Sequence, residues 1–240
     1  MKRYKIYDLG SLLQENEYPG RGIVVGQSQD GKNAVFAYFI MGRSDNSRNR
    51  IFVEKNDEVI IHPFDESKVE DPSLIIYSPI KRHDSSEWIV TNGDQTETIF
   101  NGLENGLSFE KALESRRFEP DAPNLTPRIS ALLTFFHGSF KYKMNILKSG
   151  DVEGTICNRF NYAYHPINGL GHFIHTYKFN GNPLPAFEGE PVRVEIPNDI
   201  DEFGDCIWTK LNCKNRISLS INYISLEDGT RKSIIYNKNR

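Results

Sequence analysis

Short apolar runs rich in Val, Ile, Phe and Tyr recur along this chain, each closed off by Gly, Asn, Asp or Pro. That punctuation predicts β-strands. They fall at Gly22 to Gly26, Ala34 to Met41, Ile51 to Glu54, Glu58 to His62, Leu74 to Lys81, Trp88 to Thr91, Phe140 to Leu147, Gly154 to Phe160, Gly171 to Lys178, Val192 to Glu195, Ser218 to Ser225 and Ser233 to Asn237. Helical patterns are fewer: Ile6 to Glu15, Gln95 to Asn105 and Ser108 to Glu114, the last opening on a Ser cap and followed by Arg116 and Arg117. A fourth helix is predicted over Pro127 to Phe136, with Thr126 as cap and Pro127 at the first helical position. Many antiparallel strands with a few helices predict an α+β fold of layered sheets covered by helices. Strand and helix do not alternate regularly, and no GxGxxG or GxxxxGK[ST] loop occurs, which argues against a doubly wound fold.

With 240 residues and 38% hydrophobic content the chain can bury a large core, and no linker, repeat or low-complexity tract divides it. One domain over residues 1–240 is expected. A net charge of −3 gives no broad basic surface for nucleic acid, so any phosphate site must be local. No apolar stretch is long enough to span a membrane, and the basic N-terminus has no apolar core behind it, which predicts a soluble cytoplasmic protein. Cys157, Cys206 and Cys213 match no zinc or redox spacing and are read as free thiols buried as small hydrophobes.

Polar cassettes interrupt the β runs. The densest is Gly42-Arg43-Ser44-Asp45-Asn46-Ser47-Arg48-Asn49-Arg50, a hinge with three arginines between two strands. Alone it reads as a solvated loop, yet Arg presents a planar fork of donors suited to phosphate or carboxylate. Tyr18-Pro19-Gly20-Arg21-Gly22 brackets an arginine with glycines just before a strand. Thr91 to Thr98 concentrates carboxylates, amides and threonines at a strand end, with Asp94 able to cap a following helix that carries Glu97 in its first turn. Asn124-Leu125-Thr126-Pro127-Arg128 offers a helix N-terminus and an arginine to an anion. Farther on, alternation puts Phe173, His175 and Tyr177 on one strand face and His172 on the other, and His175 is a residue that exchanges protons near neutrality. The six histidines lack metal-ligand spacing, so no metal is expected; no GxSxG elbow occurs, and with Lys2 at position 2 a self-processed N-terminal nucleophile is unsupported.

Taken in order, these cassettes resemble the archaeal-type IMP cyclohydrolases and their bacterial relatives. The resemblance rests on Tyr18-Pro19-Gly20-Arg21, on Ala37-Tyr38 leading to Arg43-Ser44 and Asn49-Arg50, on Asn92-Gly93-Asp94-Gln95-Thr96-Glu97-Thr98-Ile99, and on Asn124-x-Thr126-Pro127-Arg128-Ile129. It leaves an N-terminal extension at about residues 1–17. It implies a four-layer α-β-β-α sandwich resembling the N-terminal-nucleophile hydrolases without their nucleophile. It also implies closure of 5-formamidoimidazole-4-carboxamide ribonucleotide to IMP and water, without cofactor. On that resemblance Arg21, Arg43, Arg50 and Arg128 contact phosphate or oxyanion, while Asn92, Gly93, Asp94 and Thr96 position the base and its carboxamide. Glu97 is the expected general acid/base, Asp94 a further carboxylate of the catalytic set, and Tyr77, His175 and Tyr177 are proton or orientation partners. The expected partner is a purine-precursor nucleotide, with homo-oligomerisation left open. The alternatives are a non-catalytic nucleotide-binding or regulatory protein of the same fold, and an enzyme acting on a related amide.

Overall fold

The computed structural model describes residues 4–69 and 77–239. In chain order its elements are α1 (Leu9–Glu15), β1 (Arg21–Gln27), β2 (Asn33–Met41), α2 (Asp45–Arg48), β3 (Ile51–Lys55), β4 (Glu58–His62), β5 (Ile80–Arg82), β6 (Glu87–Thr91), α3 (Gln95–Glu104), α4 (Phe109–Ala112), β7 (Arg128–Phe136), β8 (Ser139–Ser149), β9 (Cys157–Tyr164), β10 (Leu170–His175), β11 (Val192–Glu195), α5 (Ile200–Lys210), β12 (Arg216–Ser225) and β13 (Arg231–Asn237). The strands form a six-stranded sheet, β11-β10-β1-β2-β12-β13, and a seven-stranded sheet, β3-β4-β5-β6-β7-β8-β9. Every strand pairing within them is antiparallel. The α+β expectation therefore holds. The predicted strand over Leu74 to Lys81 falls partly outside the described residues.

Strand alternation sorts the side chains into separate cores. Ile23, Val25, Phe36 and Tyr38 of the six-stranded sheet share one buried cluster with Trp88, Val90, Ile129, Ala131, Met144 and Ile146 of the seven-stranded sheet. Their neighbours along the strands, Val24, Val35, Ala37 and Phe39, face the other way and pack with Leu9 and Leu13 of α1 and Phe203 and Ile207 of α5. On the seven-stranded sheet, Ile89, Leu132 and Leu147 pack with Ile99, Phe109 and Leu113. With both faces covered, β1 and β2 are apolar almost throughout rather than alternating.

The predicted helix over Pro127 to Phe136 is instead β7, a nine-residue strand held between β6 and β8. The run Ile129-Ser130-Ala131-Leu132-Leu133 serves two buried faces at once. Two flanking strands satisfy its backbone, and that outweighs the cap signal at Thr126-Pro127. A helix not anticipated, α5, starts at Asp199, whose carboxylate accepts from Glu202 N at 2.8 Å, and buries Phe203, Gly204 and Ile207 along one stripe. The spacing of those residues carried the helical signal. Cys157 and Cys206 are half-buried and Cys213 is exposed, which corrects the expectation of buried thiols.

Candidate active site

The polar cassettes meet because strand ends meet. β1 starts, β2 ends, β6 ends and β7 starts on one side of the two sheets, since Arg21 pairs with Ile40 and Thr91 pairs with Ser130. Arg21 has the parity of Ile23 and Val25, and Arg50 that of Phe52, so both guanidiniums look into the space between the sheets. Both Nε atoms are buried, and neither has a hydrogen-bond partner among the described residues. Burial and the neighbouring Arg21 charge push Arg50 below its ordinary value. Burial is the largest influence on Arg21 and opposes its charge, but the Glu119 carboxylate together with Tyr177, Tyr77 and Tyr18 outweighs it and leaves that guanidinium well above its usual range. Glu119 was not singled out from the sequence. It acts on Arg21, Arg50 and Tyr77 alike, yet it lies outside every cassette.

Two phenols complete this space. Tyr77 donates its hydroxyl to Asn92 O at 2.8 Å, so the Tyr38 hydroxyl, 3.2 Å away, must donate to Tyr77. Burial raises both phenols, and the two arginines pull against that rise. Asn92 itself is largely spoken for: its Nδ2 donates to Pro127 O at 2.9 Å, and its Oδ1 accepts from Ile129 N at 2.9 Å and Gln95 Nε2 at 3.0 Å. These bonds clamp β6 to β7 and leave one Nδ2 hydrogen uncommitted among the described residues. Thr96 is likewise buried, bonded to Thr91 Oγ1 at 2.6 Å and Gly93 O at 3.2 Å. Gly93 keeps space open, for a Cβ there would stand 2.5 Å from Arg128 Nη1 and 3.6 Å from Glu119 Oε1.

Asp94 does not cap α3. Its side chain instead pairs with Arg116 at 2.5 Å and Arg128 at 2.7 Å, because two guanidiniums offer more than one backbone amide. Arg128 also donates to Gln95 Oε1 at 2.7 Å. Asp94, Arg116, Arg117 and Arg128 line a cavity of about 660 Å³. Arg43 stands outside the buried pair: it is exposed, stacks over Tyr18 at 5.2 Å and donates to Asn180 Oδ1 and Gly181 O at 3.0 and 2.8 Å. Glu97 is exposed on α3 and pairs with Lys81 at 2.7 Å. Lys81 neighbours Ile80 of the inter-sheet core and so points to the opposite face, which separates Glu97 from the arginine pair.

His175 is buried and its Nδ1 donates to Tyr177 O at 2.8 Å, the direction an accepting carbonyl requires. Burial pushes it down to about 4, which corrects the expectation of a group exchanging protons near neutrality. His172 is also pushed to about 4 by burial, with its ring stacked 3.6 Å from Tyr164. Both rings fold neutral and regain an ordinary value near 6.5 on unfolding. The unfolded chain therefore binds more protons between pH 6.5 and 4, and stability falls as pH drops through that window. We expect the melting temperature to fall from pH 7 to pH 4.5, as folding stability drops toward a full loss on the order of 3 kcal/mol per histidine below pH 4. Calorimetry on His172→Gln should show a shallower acid slope, and an unchanged slope would refute the assignment.

Tyr177 stacks on Tyr18 with centroids 5.8 Å apart, and its hydroxyl lies 2.6 Å from Thr126 Oγ1. Burial raises it to about 12, against the pull of Arg21. Metal-ligand types come together among the described residues at His83, Asp84 and Glu87, within 4.8 Å of one another. They sit in the β5–β6 turn, at the opposite end of β6 from Thr91, and His83 is already held by Glu87 at 3.0 Å.

Residues 18–229 match the family described as IMP cyclohydrolase-like protein, a match that begins at the first residue of the Tyr18 to Arg21 cassette. The chain is also similar to the IMP cyclohydrolase of the archaeon Methanopyrus kandleri, 29% identical over 182 residues, covering 71% of this chain and 89% of that protein. With the match spanning all the cassettes that meet at these strand ends, the chain belongs to the IMP cyclohydrolase-like family.

Proposed function

We propose that this protein is an IMP cyclohydrolase, closing 5-formamidoimidazole-4-carboxamide ribonucleotide to IMP. The carboxamide nitrogen attacks the formyl carbon. That nitrogen and the formamide nitrogen each give up one proton, and the formyl oxygen leaves as water. Catalysis then needs a held conformer, an electrostatic partner for the oxyanion and a path for protons.

The observation that carries this reading is the buried Arg21–Arg50 pair, whose Nε donors have no partner among the described residues. Two guanidiniums and the Glu119 carboxylate leave one net positive charge, which suits an oxyanion developing on the formyl oxygen. Glu119 is the carboxylate we assign to proton transfer in place of Glu97, because it acts on both arginines and on Tyr77. Tyr38 and Tyr77 form the adjoining hydroxyl chain. The phosphate is assigned to the cavity lined by Arg116, Arg117 and Arg128, which Gly93 joins to Glu119. Arg43 and Tyr18 form an outer wall. The three separate cores support a four-layer α-β-β-α sandwich of the N-terminal-nucleophile type, built as one domain with an extension at residues 1–17.

The test is IMP formation, followed by ultraviolet absorbance with purified protein and formylated substrate. A rate no higher than the spontaneous background ends the enzyme assignment, and IMP binding without turnover would indicate a nucleotide-binding regulator. Glu97→Gln is expected to keep its rate within about twofold and to cost at most about 0.5 kcal/mol, as for an exposed ion pair. A large rate loss in a folded Glu97→Gln protein would return the acid/base role to that residue.

A further inference from the structure

One hydroxyl of this site has its direction set from outside. Asp121 is exposed, yet it accepts twice from Thr126: its Oδ1 from the backbone N at 2.6 Å and its Oδ2 from the hydroxyl. A carboxylate offers only acceptors, so the Thr126 proton is committed to Asp121. Thr126 Oγ1 must then accept at its other contact, and Tyr177 donates to it across 2.6 Å. The Tyr177 proton is thereby committed to Thr126, and its oxygen keeps only lone pairs for any further partner, close enough to Arg21 to feel its charge. Tyr177 stands next to Arg21, whose backbone N and O bond Thr176 at 3.1 and 2.9 Å.

We propose that Asp121 is a positioning residue for ring closure, acting through Thr126 to hold the Tyr177 oxygen as an acceptor for an N–H of the substrate carboxamide. The inference rests on the cyclohydrolase reading above. As the carboxamide nitrogen attacks, positive charge grows on it and its N–H bonds polarise. A fixed acceptor there gains strength in the transition state over the ground state, which raises kcat more than it lowers KM. No bond to Tyr177 forms, and the proton continues to the acid/base group.

The decisive variant is Asp121→Asn, which keeps the shape and reverses the direction. The Thr126 backbone N–H still requires the amide oxygen, so Nδ2 faces Thr126 Oγ1 and donates to it. Thr126 then donates to Tyr177, and the Tyr177 proton is released into the pocket against the substrate N–H. We expect kcat to fall on the order of tenfold with KM and IMP affinity within about twofold of the parent. Tyr177→Phe should lose a similar factor, the double variant should be no slower than Tyr177→Phe alone, and Asp121→Glu should recover part of the rate. Thr126→Val breaks the same chain and stands in if Asp121→Asn fails to fold. A parent protein that does not cyclise substrate ends the underlying reading. An active parent with an equally active Asp121→Asn, or single effects that multiply in the double variant, overturns the positioning role alone.

Discussion

Arg50→Met is expected to give a protein that melts higher and cyclises substrate roughly 10²- to 10³-fold more slowly. Both effects come from one arrangement. Arg50 is buried beside a second cation, and burial and Arg21 together oppose its charge. Methionine removes the desolvation and the repulsion while filling similar space, and it leaves Arg21 balanced by Glu119. Replacing an uncomfortable buried charge in this way stabilises by on the order of 1–2 kcal/mol, a few degrees in melting temperature. The same substitution removes a donor that we assign to the developing oxyanion. Calorimetry and the absorbance assay read the two effects separately. A lower melting temperature with an unchanged rate would mean that Arg50 is a structural residue, not part of an anion site.

Glu119→Gln should do the reverse to stability while also abolishing most activity. It leaves Arg21 and Arg50 facing each other without the Glu119 carboxylate that acts on both, so the folded state loses on the order of 1–2 kcal/mol. Loss of the group we assign to proton transfer should cost roughly 10²-fold or more in kcat. Excess chloride or sulfate should partly restore the melting temperature by screening or occupying the pair, without restoring the rate. A normal rate in Glu119→Gln would remove this residue from the mechanism. Opposite stability changes in the two variants, each with lost activity, would mark the pair as a functional site that the fold maintains at a cost.

Much of this was legible in the residues themselves. The short Val-, Ile-, Phe- and Tyr-rich runs closed by turn residues marked most of the strands, because β-branched and aromatic side chains suit a pleated, covered surface and Gly, Asn, Asp and Pro end it. The cassettes at Arg21, Arg50 and Thr91 to Thr98 stood out because polar groups at strand ends have few structural reasons to be so dense. At β7 the reading failed: a strand buried on both faces lacks alternation, and Thr126-Pro127 resembles a helix start. Glu119 failed differently. It is one carboxylate in a loop without a distinguishing pattern, and Glu119 N bonds Thr126 O at 2.8 Å, which holds that loop at the start of β7.

The sequence by itself determined the class of fold and the inventory of chemistry, because both follow from local patterns of polarity. Which members of the inventory work together was decided only by the tertiary structure. Strand parity turned Arg21 and Arg50 inward, sent Glu97 to the opposite face beside Lys81, and left Arg43 stacked outside on Tyr18. Burial then settled the charges, holding His175 neutral and setting Glu119 against two guanidiniums. A residue's partners and its dielectric surroundings are properties of distant chain segments, and no local pattern carries them.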